Sequence, residues 1–163
     1  MNAKRILLIE DSPQDAELVL FALEPNRLAG EVMHVRDGAE ALDYLYRRGD
    51  FSDRADGQPI LILLDLKLPK IDGLEVLRQI KGDPDLEMIP VVMMTSSRQE
   101  QDLLRSYQLG VNAYVVKPMK FQDFVDAVKQ VSGFWSVINE VPERLRRSGA
   151  AGDAPGDPPV ETH

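Results

Sequence analysis

There is no cysteine among the 163 residues. That excludes disulfides, thiol catalysis and thiolate metal sites, and it fits a reducing compartment. Basic charge is in deficit: 19 Lys and Arg stand against 27 Asp and Glu, a formal net charge of -8. Direct binding to nucleic acid needs a basic face, so no nucleic-acid partner is expected. Long apolar runs at the N-terminus are missing as well. After Lys4-Arg5 only four aliphatic residues precede the first acids, too few for a secretory signal, and no run approaches the length of a membrane span. A cytoplasmic protein without a membrane partner is the expectation. A hydrophobic content of 44% and a charged content of 28% belong to an ordinary globular chain, long enough for one domain with a substantial core.

What the chain does contain is short aliphatic runs that stop abruptly at polar residues. Ile60-Leu61-Ile62-Leu63-Leu64 runs into Asp65, and its lack of alternation suits a central parallel strand buried on both faces. Ile6-Leu7-Leu8-Ile9 ends in Glu10-Asp11. Pro90-Val91-Val92-Met93-Met94 ends in Thr95, and Ala113-Tyr114-Val115-Val116 ends in Lys117-Pro118. Val32-Met33-His34-Val35 reads as a shorter strand in which His34 is structural, and Met93 and Met94 read as core.

Between these runs lie helical patterns. Ser12 as N-cap and Pro13 at N1 open the first, with Ala16, Val19, Leu20 and Leu23 inward. Asp37-Gly38 opens the second, with Ala41, Leu42 and Leu45 inward, and Asp72-Gly73 opens the third, with Val76, Leu77 and Ile80 inward. Ser96 or Ser97 is the expected cap of a fourth helix whose inner residues are Leu103, Leu104 and Tyr107, closed by Gly110. Phe121, Phe124, Val125, Val128 and Val131 mark a fifth, with Gly133 a weak point on the way to Trp135 and Ile138. Residues 49–59 form a connection longer than usual. The order βαβαβαβαβα implies a parallel sheet with right-handed crossovers and helices on both faces. Residues 1–131 then make the domain, 132–147 a helical extension, and 148–163, rich in Gly, Ala, Pro and Asp, a disordered tail. Arg144, Arg146 and Arg147 read as a solvated helix end.

All strand ends of one parallel sheet lie on one edge, so Glu10, Asp11, Asp65, Thr95 and Lys117 can share a pocket. Any one of them alone is an ordinary surface group. Together they pose an electrostatic problem, because clustered carboxylates repel one another unless a cation sits among them. Mg²⁺ suits such a site, since it takes a few carboxylates plus waters and accepts a phosphate oxygen. Lys117 offers a compact charge for a second phosphate oxygen, and the Thr95 hydroxyl offers a hydrogen bond to a third. The set suits a phosphoryl group on a carboxylate, with Asp65 as nucleophile.

On Glu10-Asp11, Asp65, Leu68-Pro69, Asp72-Gly73, Thr95, Tyr114 and Lys117-Pro118, in that order and spacing, the chain resembles the receiver domains of two-component response regulators, over roughly residues 4 to 131. The resemblance implies a flavodoxin-like, doubly wound five-stranded sheet in the order 2-1-3-4-5. It implies that Asp65 accepts a phosphoryl group from a sensor histidine kinase. Glu10, Asp11, Asp65 and the backbone carbonyl of Lys67 would hold Mg²⁺, with Mn²⁺ or Ca²⁺ as substitutes. Thr95 and Tyr114 would form a switch pair, and the Lys117-Pro118 bond would be cis. The side chains of Lys67 and Ser97 occupy positions that vary in receivers and would modulate the chemistry.

The long 49–59 connection and the segment Gly133-Phe134-Trp135 with Asn139 and Pro142 resemble single-domain regulators paired with phytochrome-type histidine kinases. That implies a phytochrome-type partner and a homodimer, with Phe134 and Trp135 as its apolar face. Two other functions compete with this signalling switch. One is an aspartyl-phosphate hydrolase, which resembles the chain less because Lys67 stands where such enzymes carry a second Asp. The other is a receiver-like module that binds partners without phosphorylation.

Overall fold

A computed structural model describes residues 5–23, 32–118 and 120–134. Five strands, β1 (Ile6–Ile9), β2 (Val32–Val35), β3 (Leu61–Leu64), β4 (Val91–Thr95) and β5 (Ala113–Val116), form one sheet. Its order is β2-β1-β3-β4-β5, and every neighbouring pair is parallel. The helices are α1 (Pro13–Leu23), α2 (Gly38–Tyr46), α3 (Gly73–Gly82), α4 (Glu100–Gln108) and α5 (Phe121–Gly133). The expected architecture is therefore the observed one. The helical extension and the tail expected beyond residue 131 lie, after Phe134, outside the described residues. Among the described residues no helix is long and apolar enough to cross a membrane.

Strand periodicity divides the core in two. Leu7, Ile9, Ile62, Leu64, Val91 and Met93 face α2 and α3, meeting Ala41, Leu42, Leu45, Val76, Leu77 and Ile80. The alternate residues Ile6, Leu8, Leu61, Leu63, Val92 and Met94 face α1 and α5, meeting Ala16, Val19, Leu23, Phe124, Val125 and Val128. Both faces of β1, β3 and β4 are covered, which is why these strands read as unbroken aliphatic runs. Strand order reverses between β1 and β3, and their carboxyl ends open the crevice where ligands bind in such sheets.

The long connection after α2 is tied down. A 3₁₀ turn at Gly49–Phe51 starts it, and the Arg54 guanidinium lies 4.0 Å from the Tyr44 ring centroid while donating to Tyr44 O and Gln58 Oε1.

Three local expectations need correction. Helix α4 begins at Glu100 with Gln99 as N-cap, not at Ser96 or Ser97. The Ser97 hydroxyl instead donates to Asp102 Oδ2 at 2.6 Å. Nor are Leu104 and Tyr107 inward: they are 54% and 52% exposed, and the buried residue of α4 is Ser106, whose Oγ donates to Asp102 O. Phe121 is likewise 55% exposed, against the Phe21 ring at 6.2 Å. An apolar stripe read from spacing alone does not say which way a helix faces, and α4 turns Ser106 inward instead.

Candidate functional site

The first acids follow directly from the end of β1. Glu10 is buried, and its backbone is fixed by its own N–H donating to Val35 O and by His34 Nε2 lying 2.8 Å from Glu10 O. Its carboxylate is divided between two partners: the Ser12 N–H donates to Oε1 at 3.1 Å and Lys117 Nζ to Oε2 at 2.7 Å. Asp11, next in sequence, is exposed. The Ser12 hydroxyl accepts from Asp15 N, as expected of an N-cap, and so fixes the first turn of α1 over the sheet edge.

Asp65 leaves β3 with its N–H donating to Ile9 O, which locks it beside Glu10. Its side chain is only 12% exposed. The loop from Leu66 to Asp72 is held by close packing against two glycines. A Cβ on Gly73 would overlap the Asp65 carbonyl and lie 2.7 Å from Leu66 O, and a Cβ on Gly38 would overlap the Ile71 carbonyl. Gly73 N–H also donates to Leu66 O at 2.8 Å, and the Asp72 carboxylate caps α3 by accepting from Glu75 N. Lys70 in this loop has a φ of 66°, a left-handed turn that closes it. The Lys67 N–H lies 3.4 Å from Asp65 Oδ1 and its side chain is exposed.

Lys117 follows β5 with its N–H donating to Thr95 O at 2.8 Å, so the ends of β4 and β5 stay in register. Its Nζ reaches Glu10 at 2.7 Å, Asp15 at 2.8 Å and Asp65 at 3.2 Å. Thr95 is buried, and its Oγ1 accepts from Ser97 N. The half-buried Tyr114 donates through its hydroxyl to Ser97 O at 3.1 Å. Ser97 thus connects the two residues expected to form a switch pair. Pro118 departs from expectation: no peptide bond among the described residues is cis. Trans is the lower-energy isomer of a prolyl bond by about 0.5–1 kcal/mol, and Lys117 reaches its carboxylates with that isomer.

Charge makes the site unusual. Oxygens of Glu10, Asp11 and Asp65 all lie within 4.8 Å of one another. Three carboxylates, Glu10, Asp15 and Asp65, pair with the one Lys117 ammonium, and Asp11 adds a fourth negative charge beside Glu10 and Asp65. Burial pushes Glu10 up from 4.5 to about 7, with the nearby Asp65 charge adding to the effect and Lys117 opposing it. Burial works against the Lys117 charge too, but the hydrogen bonds it donates to Asp15 and Glu10 override it and hold the ammonium above its ordinary range. An oxygen-only donor set with surplus negative charge fits a hard divalent cation.

Sequence reasoning missed the part Asp15 plays and the close packing at the two glycines, while His34 is structural as expected. Asp15 reads as a generic first-turn acid, and its one signal is that it follows the Asp11 strand end by a single turn. His34 has no acid partner in sequence, because it bonds a backbone carbonyl.

A parallel sheet with an acidic, lysine-bearing pocket at its carboxyl edge defines the class of phosphoacceptor signalling domains. The profile of the response regulator receiver domain family matches residues 6–129, and the chain belongs to that family. It is 43% identical over 132 residues to the response regulator Rcp1 of Synechocystis sp., covering 81% of this chain and 88% of that protein. A crystal structure of Rcp1 in its Mn²⁺-bound form superimposes with a TM-score of 0.79, covering 85% of this chain and 99% of that one. The phosphorylated cyanobacterial phytochrome response regulator RcpA, 42% identical, gives a TM-score of 0.80 over 85% of this chain and 98% of its own. The bacteriophytochrome response regulator RtBRR is 56% identical, with a TM-score of 0.69 over 89% of this chain and 87% of its own. Receiver domains are phosphorylated by histidine kinases and bind Mg²⁺, and the Glu10, Asp11 and Asp65 cluster fits that metal.

Proposed function

We propose that Asp65 is the phosphoacceptor of this receiver domain. The observation that carries the proposal is its setting: a nearly buried carboxylate at the sheet edge, grouped with Glu10 and Asp11 and 3.2 Å from the Lys117 ammonium. An Asp65 oxygen attacks phosphorus, the P–N bond of a kinase phosphohistidine breaks, and its electron pair stays on the imidazole. Glu10, Asp11, Asp65 and the Lys67 carbonyl are the ligands we assign to Mg²⁺. When bound, Mg²⁺ supplies positive charge that offsets the charge on the phosphoryl oxygens. Lys117 binds one of those oxygens and Thr95 donates to another. Hydrolysis of the acyl phosphate reverses the modification, with water attacking phosphorus and Asp65 leaving as carboxylate. The domain's only catalysis is on itself.

Thr95 and Tyr114 form the readout in this proposal. A Thr95 hydroxyl turned toward the phosphoryl group gives up the Ser97 N–H, and the loop that also accepts from Tyr114 shifts with it. Identity to RcpA and RtBRR supports a phytochrome-type kinase as partner. The exposed Phe134 supports a second copy of the chain as another. Incubation with Mg²⁺ and a small phosphodonor tests the acceptor directly. An acid-stable, base-labile adduct is expected in the wild type and none in Asp65→Asn. An undiminished adduct in that variant contradicts the proposal.

Cation binding should also depend on pH. Glu10 takes a proton below about 7, and a cation binds its carboxylate form, so binding expels that proton. Mg²⁺ affinity is therefore expected to fall as pH drops from 8 to 6, by up to about tenfold per unit below 7, and to level off above it. Calorimetry in two buffers of different ionisation enthalpy should show proton release at pH 6 and little at pH 8. Equal affinity across that range would refute the role given to Glu10.

A further inference from the structure

An ammonium has three donors, and all three on Lys117 are filled by carboxylates: Glu10 Oε2 at 2.7 Å, Asp15 Oδ2 at 2.8 Å and Asp65 Oδ2 at 3.2 Å. To contact a phosphoryl oxygen Lys117 must release one of them. Glu10 is a poor choice, because its side chain is 4% exposed and water cannot take the place of the ammonium on its oxygen. Asp65 is the group being modified. Asp15 is different on each count. Its side chain is 33% exposed, so water can take over its hydration, and it lies outside the cluster formed by Glu10, Asp11 and Asp65. Its place in the first turn of α1, with its N–H on Ser12 Oγ, leaves the carboxylate favourably placed near the helix N-terminus after release.

We propose that Asp15 is a positioning residue for phosphotransfer, holding Lys117 while Asp65 is unmodified and competing with the phosphoryl group for the same ammonium. The inference rests on the reading of Asp65 as acceptor. Asp15 then sets the balance between unmodified and modified states without touching either the cation or the reacting atoms. Its loss acts in two ways with one sign. Lys117 is left with a donor to offer an incoming anion, and one negative charge near that anion is gone.

The test titrates beryllofluoride, a phosphoryl mimic that binds aspartate carboxylates, into the full chain in saturating Mg²⁺. Wild type, Asp15→Asn and Asp15→Glu are compared, and each is also titrated with Mg²⁺ alone. Asp15→Asn is expected to bind the anion about tenfold more tightly, the size of one charge-assisted contact released from competition. Asp15→Glu should return toward wild type, and Mg²⁺ affinity should stay within about twofold. A residue that only starts the helix would lower thermal stability and leave anion affinity unmoved. Unchanged or weaker anion binding in Asp15→Asn overturns this inference alone. A Mg²⁺ affinity that shifts as much as the anion affinity assigns Asp15 to the cation site and overturns it too. No binding by wild type at all removes the acceptor reading, and this inference with it.

Discussion

Lys117→Met is expected to slow phosphotransfer to Asp65 by about a hundredfold or more, the range seen when one oriented donor to a charged transition state is removed. The same substitution should destabilise the fold. Lys117 is 11% exposed and is the cation between Glu10 and Asp65, whose side chains are 4% and 12% exposed. Removing one partner of a buried pair costs about 3–5 kcal/mol, but here protonation of Glu10 can absorb part of the loss. The sign follows from its raised pKa. Burial already lifts Glu10 to about 7, and loss of Lys117 lifts it further. A carboxyl that holds its proton more tightly when folded contributes a penalty that grows as pH rises from its ordinary value of 4.5 through the raised one. Urea melts should therefore place Lys117→Met nearer to wild type at pH 5 than at pH 8. An equal gap at both values would mean that Glu10 is not the group left uncompensated.

The second large effect is expected at Gly73. The three nearest atoms an added methyl would meet are all backbone: the Asp65 carbonyl oxygen, Leu66 O at 2.7 Å and Leu66 Cα at 2.8 Å. Backbone cannot rotate away as a side chain can, so Gly73→Ala must push the start of α3 from the loop that carries Asp65. We expect a loss of about 2–4 kcal/mol, at or beyond the upper end for overpacking, and a weakened Mg²⁺ site. Gly82→Ala is the matched control. It lies at the other end of the same helix with nothing within 4 Å of the added carbon, so a gain of about 0.5–1 kcal/mol is expected there. If the two variants melt alike, close approach at Gly73 does not hold the loop.

The architecture was legible because burial on both faces leaves strands no choice but aliphatic residues, and each run then stops at a polar one. Leu64 followed by Asp65 carries that signal, and so does Ile9 followed by Glu10. The cluster at the sheet edge was legible for the same reason. Acids, a hydroxyl and an amine at successive strand ends have no structural use, whereas Asp15 imitates an ordinary helix-start acid. Its role depends on the angle at which α1 crosses the sheet edge, which no local pattern encodes. The face of α4 was misread because Leu103, Leu104 and Tyr107 form a stripe by spacing alone. Ser106 is buried because its hydroxyl satisfies itself on Asp102 O, a solution invisible to an apolar count. The Pro118 isomer is set by tertiary context, and here the trans form serves.

The identity of the phosphorylated residue is the claim on which everything else depends, and it can be read chemically. Borohydride reduces an aspartyl phosphate to homoserine, so phosphorylation in Mg²⁺ followed by reduction and peptide mass mapping marks the acceptor. Homoserine at position 65 and nowhere else is the predicted result. Homoserine at Asp11 or Asp15, or an adduct that borohydride does not convert, would contradict it.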